Sequence, residues 1–225
     1  MTHWLLELQR RRWRRRAGNG PLDALFDSAL PAKQTVFEDL EFVCLDMETT
    51  GLDTETADIL SVGWVLIRRN RAELSTAAHY LVRPPGGVGD SATVHGITDS
   101  QAEAGIPITV VMEHIVAALP GRCLVVHHAS LDKTLLDRES RRCFGAPLAV
   151  PVIDTLALEH RRRQRAHHLE SDPSLRLPDL RQCYGLPRYI GHDALADAIA
   201  TAELLLAMVA RNGGARQTRL ADLLR

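Results

Sequence analysis

Two acids separated by one residue, Asp46 and Glu48, stand at the end of the apolar run Phe42-Val43-Cys44-Leu45 and just before the turn residues Thr49-Thr50-Gly51. Strand-forming residues fill the run, and side chains two apart on a strand share one face. Phe42, Cys44, Asp46 and Glu48 therefore point one way and Val43, Leu45 and Met47 the other. A strand apolar on both faces is central in its sheet, and acids buried at its end demand a metal or a basic partner. A solvated strand end, or an ion pair with one of the chain's arginines, is the plainer alternative.

Two further segments carry acids in a comparable setting. "RCLVVHH" is a second apolar run, after which Ser130 is placed to open an amphipathic helix through Leu131, Leu135 and Leu136, with Asp132 in its first turn. In "GHDALADA", Asp193 has the placement of an N-cap for a helix from Ala194 to Arg211, with His192 just outside it and Asp197 one turn in. Taken singly, Asp132 and Asp197 read as helix N-terminal acids favoured by the helix dipole.

Together the segments resemble the DEDDh exonucleases, the DnaQ-like family that includes the epsilon proofreading subunit of bacterial DNA polymerase III, RNase T and oligoribonuclease. The family's D-x-E-T-T-G, H-N-A-x-F-D and H-D-A-x-x-D patterns stand here as Asp46 to Gly51, His127 to Asp132 and His192 to Asp197. "VHGIT" at Val94 to Thr98 and "IDTL" at Ile153 to Leu156 also resemble family segments, so the likeness runs from about residue 38 to 210. His128 replaces the usual Asn and Leu131 the usual Phe, without removing an acid.

The resemblance implies an α/β protein of RNase H-like (exonuclease) fold, a mixed sheet flanked by helices on both faces. It implies a 3′–5′ exonuclease that releases 5′-mononucleotides, with single-stranded or frayed DNA as first substrate. An exoribonuclease like RNase T or oligoribonuclease is the enzymatic alternative, and a non-catalytic 3′-end-binding subunit of a polymerase the other. Asp46, Glu48, Asp132 and Asp197 would hold two divalent cations, Mg²⁺ or Mn²⁺, and His192 would be the general base. Thr49, Thr50, Gly51 and Leu52 would grip the terminal nucleotide, with His95 in a structural or nucleotide-contact role. Four carboxylates in one cleft repel by roughly 4 kcal/mol per pair at about 4 Å and an effective dielectric near 20, which is itself a reason to expect cations.

The 225 residues, 45% of them hydrophobic, suffice for one compact domain with extensions. We expect a basic helical arm over 1–36, the exonuclease domain over 37–212 and a short tail over 213–225. The net charge of −1 divides into +5 for residues 1–20, where six arginines face Glu7, and −6 for the rest. The arm is either a solvated extension or a contact for nucleic acid or a partner. Cys44, Cys123, Cys143 and Cys183 form no C-x-x-C pair and read as reduced core thiols of a cytoplasmic protein. No apolar signal core or membrane-length run is present, so no membrane association is expected.

The periodicity predicts a helix in "WLLELQRRRWRRR", then a second through Leu22, Leu25, Phe26, Ala29 and Leu30. Strands follow near 40–47, 59–69 and 73–82, the last two as an antiparallel hairpin, then a helix near 108–119, a strand near 122–127, a helix near 131–143 and a strand in "VPVID" before more helix. "RPPGGVGD" reads as a connector. His160, His167 and His168 read as a solvated basic face or part of a nucleic-acid path, without the partners of a zinc site. Gln217, Leu220, Leu223 and Leu224 distantly resemble a sliding-clamp-binding peptide, though a docking helix end accounts for the same spacing.

Overall fold

The computed structural model describes residues 3–17, 20–86, 88, 91–165 and 174–224. In chain order the elements are α1 (His3–Ala17), α2 (Asp23–Asp27), β1 (Phe42–Thr49), β2 (Ile59–Arg68), β3 (Arg71–Leu81), α3 (Ala92–His95), α4 (Asp99–Glu103), α5 (Ile108–Ala118), β4 (Cys123–Val126), α6 (Ala129–Phe144), β5 (Val152–Asp154), α7 (Thr155–Arg165), α8 (Leu177–Cys183), α9 (Ala194–Arg211) and α10 (Leu220–Leu223). The sheet order is β3-β2-β1-β4-β5. β1 pairs antiparallel with β2 and parallel with β4, so it is the central strand expected from its two apolar faces. The β2–β3 hairpin turns on Arg69 and Asn70, both at positive φ (48° and 58°), the geometry that matches the twist of the flanking strands.

Each face of β1 feeds its own core, with the parity predicted. Val43, Leu45 and Met47 pack with Val111, Met112 and Ile115 of α5 and Leu135 and Leu136 of α6. Phe42 and Cys44 pack with Ala202, Leu205 and Val209 of α9 and with Leu220 and Leu223 of α10. Helices thus cover both faces. β1 and β4 end beside the first turns of α9 and α6, which brings all three acid-bearing segments to one end of the sheet.

Several local expectations are corrected. The second helix is shorter than its pattern: α2 stops at Asp27, and Ser28 is extended. α6 begins at Ala129 without a side-chain cap from Ser130; instead Asp154, at the end of β5, accepts the Ala129 amide at 3.0 Å. Of the cysteines only Cys44 and Cys123 are buried, whereas Cys143 is half-buried and Cys183 exposed. Leu220 and Leu223 lie in the core, so they anchor a docked helix end and are not presented to a clamp. His167 and His168, with part of "RPPGGVGD", lie outside the described residues.

The arm is attached by its own arginines. Leu6 and Arg10 are both buried. Arg10 donates to the Leu25 carbonyl and, at 2.7 Å, to that of Ser28. Arg14 bridges Asp23 at 2.9 Å and Asp27 at 3.0 Å. Not all of the arginine run is therefore a solvated face. No helix among the described residues is long and apolar enough to cross a membrane.

Candidate metal and nucleic-acid site

Asp46, Glu48 and Asp197 each offer a carboxylate oxygen within 4.8 Å of the others. Glu48 shares the Asp46 face of β1 because it lies two residues on, and Asp197 arrives from the first turn of α9. Asp193 caps that helix as its sequence predicts, accepting the Ala196 amide at 2.8 Å. Gly63, which pairs with Asp46 across β1 and β2, lets α9 come close: a Cβ there would lie 2.3 Å from the Leu195 nitrogen and 2.4 Å from the Ala194 carbonyl carbon. Nothing local in the sequence distinguishes this glycine from a residue that merely weakens a strand.

Asp132 of α6, only 5% exposed, lies outside that set of three but close enough for its charge to act on Asp46. Burial and then the charges of Asp132, Asp197 and Glu48 push the Asp46 carboxyl well above the usual carboxylate range. Burial, reinforced by Asp197 and Asp193, raises Glu48 to about 7. Burial raises Asp132 to about 7 as well, with Asp154 and Glu48 adding to it and backbone amides opposing. The leading influences on these acids are burial, neighbouring carboxylates and backbone amides. Hard oxygen donors so arranged fit a hard divalent cation, which would relieve the repulsion that protonation otherwise relieves.

Asp197 has further partners. Tyr189 donates its hydroxyl to Oδ1, and the His192 amide donates to Oδ2 at 2.9 Å. The Arg181 guanidinium lies 4.9 Å from the centre of the Tyr189 ring. Tyr189 carried no signal in the sequence, because the motif spacing starts at His192. His192 is exposed at the rim, at a positive φ of 66°. His95 stands near it: burial first, then His192, lowers the pKa of His95. Both nitrogens of His95 are engaged within its own loop, Nδ1 accepting the Ile97 amide at 3.1 Å and Nε2 lying 3.0 Å from Ser91 Oγ.

The turn after β1 is fixed by its threonines. Thr49 Oγ1 donates to the Gly51 carbonyl at 2.7 Å, and Thr50 Oγ1 accepts the Asp58 amide at 2.9 Å. Arg138 of α6 donates to the Thr54 carbonyl at 2.8 Å, tying the following loop to the helix that carries Asp132. Leu52 projects from this turn, 82% exposed. Asp154 is the other residue whose position the sequence hid. Besides capping α6 it accepts the amides of Leu156 and Ala157 at the start of α7, at 3.0 and 3.2 Å. Only "IDTL" hinted at it. His127 is buried, its Nδ1 2.8 Å from Thr155 Oγ1, whereas His128 is exposed, with Nε2 3.0 Å from Ser130 Oγ.

The family model described as Exonuclease and named for RNase T matches residues 43–205. A DNA polymerase III PolC-type protein of Thermotoga petrophila is 30% identical over 174 residues, 77% of this chain and 12% of that protein. A DNA polymerase III subunit epsilon-like protein of Rhodobacter capsulatus is 30% identical over 178 residues, 78% of this chain and 25% of that protein. This chain thus spans a quarter or less of the length of these two relatives. Among solved structures, E. coli Exonuclease I in complex with a 5cy-dT13 oligonucleotide matches with a TM-score of 0.65 at 19% identity, over 82% of this chain and 42% of that one. That likeness shows the RNase H-like exonuclease fold. By the match to its family model and the identity with these relatives, the chain belongs to the exonuclease family, the DnaQ-like group that its three acid-bearing segments resemble.

Proposed function

We propose that the chain is a metal-dependent 3′–5′ exonuclease that removes 5′-mononucleotides from the 3′ end of single-stranded or frayed DNA. The observation carrying this reading is the meeting of Asp46, Glu48 and Asp197 within 4.8 Å, with Asp132 buried beside them. These four carboxylates would hold two Mg²⁺ or Mn²⁺ ions, whose chemistry is to activate water and stabilise the charge of an in-line phosphoryl displacement. His192, exposed at the rim, accepts the proton of the attacking water. Its amide bond to Asp197 keeps base and ligand in register. The Thr49 to Gly51 turn grips the terminal nucleotide, with Leu52 wedged against its base. His95 stiffens the opposite wall through its own loop.

DNA is favoured over RNA by the relatives, which are DNA polymerase III proteins, and by the Exonuclease I complexes, which hold dT13 and dA16 oligonucleotides. The chemistry lies in 37–212, and a polymerase is the partner those relatives point to. The test is mononucleotide release from 3′-labelled single-stranded DNA and RNA side by side, with Mg²⁺ and with EDTA. Release from DNA that EDTA abolishes is expected. A clear preference for RNA would reassign the substrate, and release from neither would sink the reading.

A further inference from the structure

Docking of the arm creates a groove of about 400 Å³ between α1 and α6. Gln9, Arg12 and Trp13 form one wall, and Lys133, Asp137 and Arg141 the other. Three cations face one acid, a surplus of two positive charges. The acid is engaged, since Asp137 pairs with Lys133 and also accepts the Leu148 amide at 2.8 Å. Arg12 and Arg141 are both exposed. Trp13 is half-buried, with the Arg12 and Arg16 guanidiniums 5.9 and 5.5 Å from its ring centre. Arg10 and Arg14 hold this wall down on α2 and its flank.

The groove and the acidic site share α6: Lys133 in the groove's lining is the neighbour of Asp132. Arg141 lies nine residues on from Asp132, about 13 Å along a helix at 1.5 Å per residue. A cationic track with an aromatic ring, leading away from a cleft of carboxylates, has the chemistry that holds a single nucleic-acid strand without reading its sequence. We propose that the α1–α6 groove binds the body of the single strand whose 3′ end enters the acidic site. This rests on the exonuclease reading above. The arm then supplies grip only on strands long enough to reach Arg12 and Arg141 from the acidic site. A dinucleotide is too short to reach it.

The test compares the wild-type chain with the Arg12→Gln/Arg141→Gln double variant, both in EDTA so that the strand survives. Fluorescence anisotropy of labelled dT2 and dT12 is followed against salt. Two lost phosphate contacts should lower the slope of log affinity against log salt by about 1.4 for dT12, at about 0.7 per contact. Binding of dT12 should weaken at least several-fold, with the loss confined to the longer strand. Superimposable slopes overturn the proposal, as does an equal loss on both lengths, which would mark a structural defect. Unchanged dT12 binding in the double variant together with a loss of poly-glutamate binding would overturn the proposal and assign the groove to an acidic protein. Failure of the exonuclease reading is told apart by the wild-type protein with Mg²⁺: no mononucleotide from either length, whatever the slopes.

Discussion

Gly63 lies directly opposite Asp46 in the β1–β2 pair, and the first turn of α9 rests on the space where its side chain would be. Asp197 stands on that same turn, so the separation of Asp46 and Asp197 depends on a hydrogen atom at position 63. In Gly63→Ala the new methyl would meet α9 backbone, which cannot rotate aside as a side chain can. Forcing it in should cost about 1–3 kcal/mol of stability. The larger effect is on turnover, since displacement of a reacting group by about 1 Å can cost around 10²-fold. Far-ultraviolet circular dichroism should stay near wild type while mononucleotide release falls at least tenfold. Undiminished release would show that α9 does not set the site.

Repulsion among the acids gives the metal-free protein an inverted pH dependence. Glu48 and Asp132, raised to about 7 in the fold, return to ordinary values near 4 when the chain unfolds. Between those limits the native state binds more protons than the unfolded one, so stability falls as pH rises from about 5 to 7. The window stops near 5 because Glu159 has the opposite sign. Burial works against its charge, but hydrogen bonds from Arg162, Tyr184 and Arg163 hold it at about 2, and their support is lost as pH falls below the ordinary range. In EDTA the melting temperature should be higher at pH 5.5 than at pH 8, and Mg²⁺ should restore it at pH 8. Asp132→Asn should flatten the dependence. A higher melting temperature at pH 8 in EDTA would contradict the assignment.

What could be read beforehand was whatever is encoded in nearby residues. The parity of Phe42 to Glu48 put Asp46 and Glu48 on one face, and the Asp193 cap fixed the start of α9 at Ala194. Hidden were the contacts that join distant segments. Gly63 matters only once α9 lies on it, and Asp154 only once β5 ends beside α6. Tyr189 matters because a loop brings it back to Asp197. Arg10 and Arg14 lie within an arginine run that reads as a uniform charge, yet both are bound to α2 and its flank. Local periodicity holds no information about partners across a loop, whether eight residues away, as Tyr189 and Asp197 are, or 25, as Ala129 and Asp154 are.

Asp154 offers a test of support at one remove. Its carboxylate accepts amides from the first turns of both α6 and α7. Asp154→Ala removes both caps, at about 1 kcal/mol each, and leaves the first turn of α6, where Asp132 sits, without its anchor. Denaturation midpoints should fall by about 2 kcal/mol, and turnover should fall further than stability explains. Asp154→Asn keeps one acceptor oxygen and should lie between the two. A stability loss with turnover intact would confine Asp154 to the scaffold.

His192 carries two functions that one substitution can separate. Its side chain is the proposed base, and its amide holds Asp197 Oδ2 from a backbone at φ 66°. Asn tolerates that conformation better than other residues with a Cβ, whereas Ala is strained there. His192→Asn therefore keeps the backbone and its amide while deleting the imidazole. If proton transfer is the contribution, kcat should fall about 10²-fold or more in His192→Asn as in His192→Ala, with the metal concentration for half-activity nearly unchanged. Added imidazole should recover part of the rate in both. If the amide bond to Asp197 is the contribution, His192→Asn should retain most of its activity and only His192→Ala should lose it, with a weaker metal requirement curve. Near-wild-type turnover in His192→Asn would move the base elsewhere and leave position 192 as a backbone clamp on Asp197.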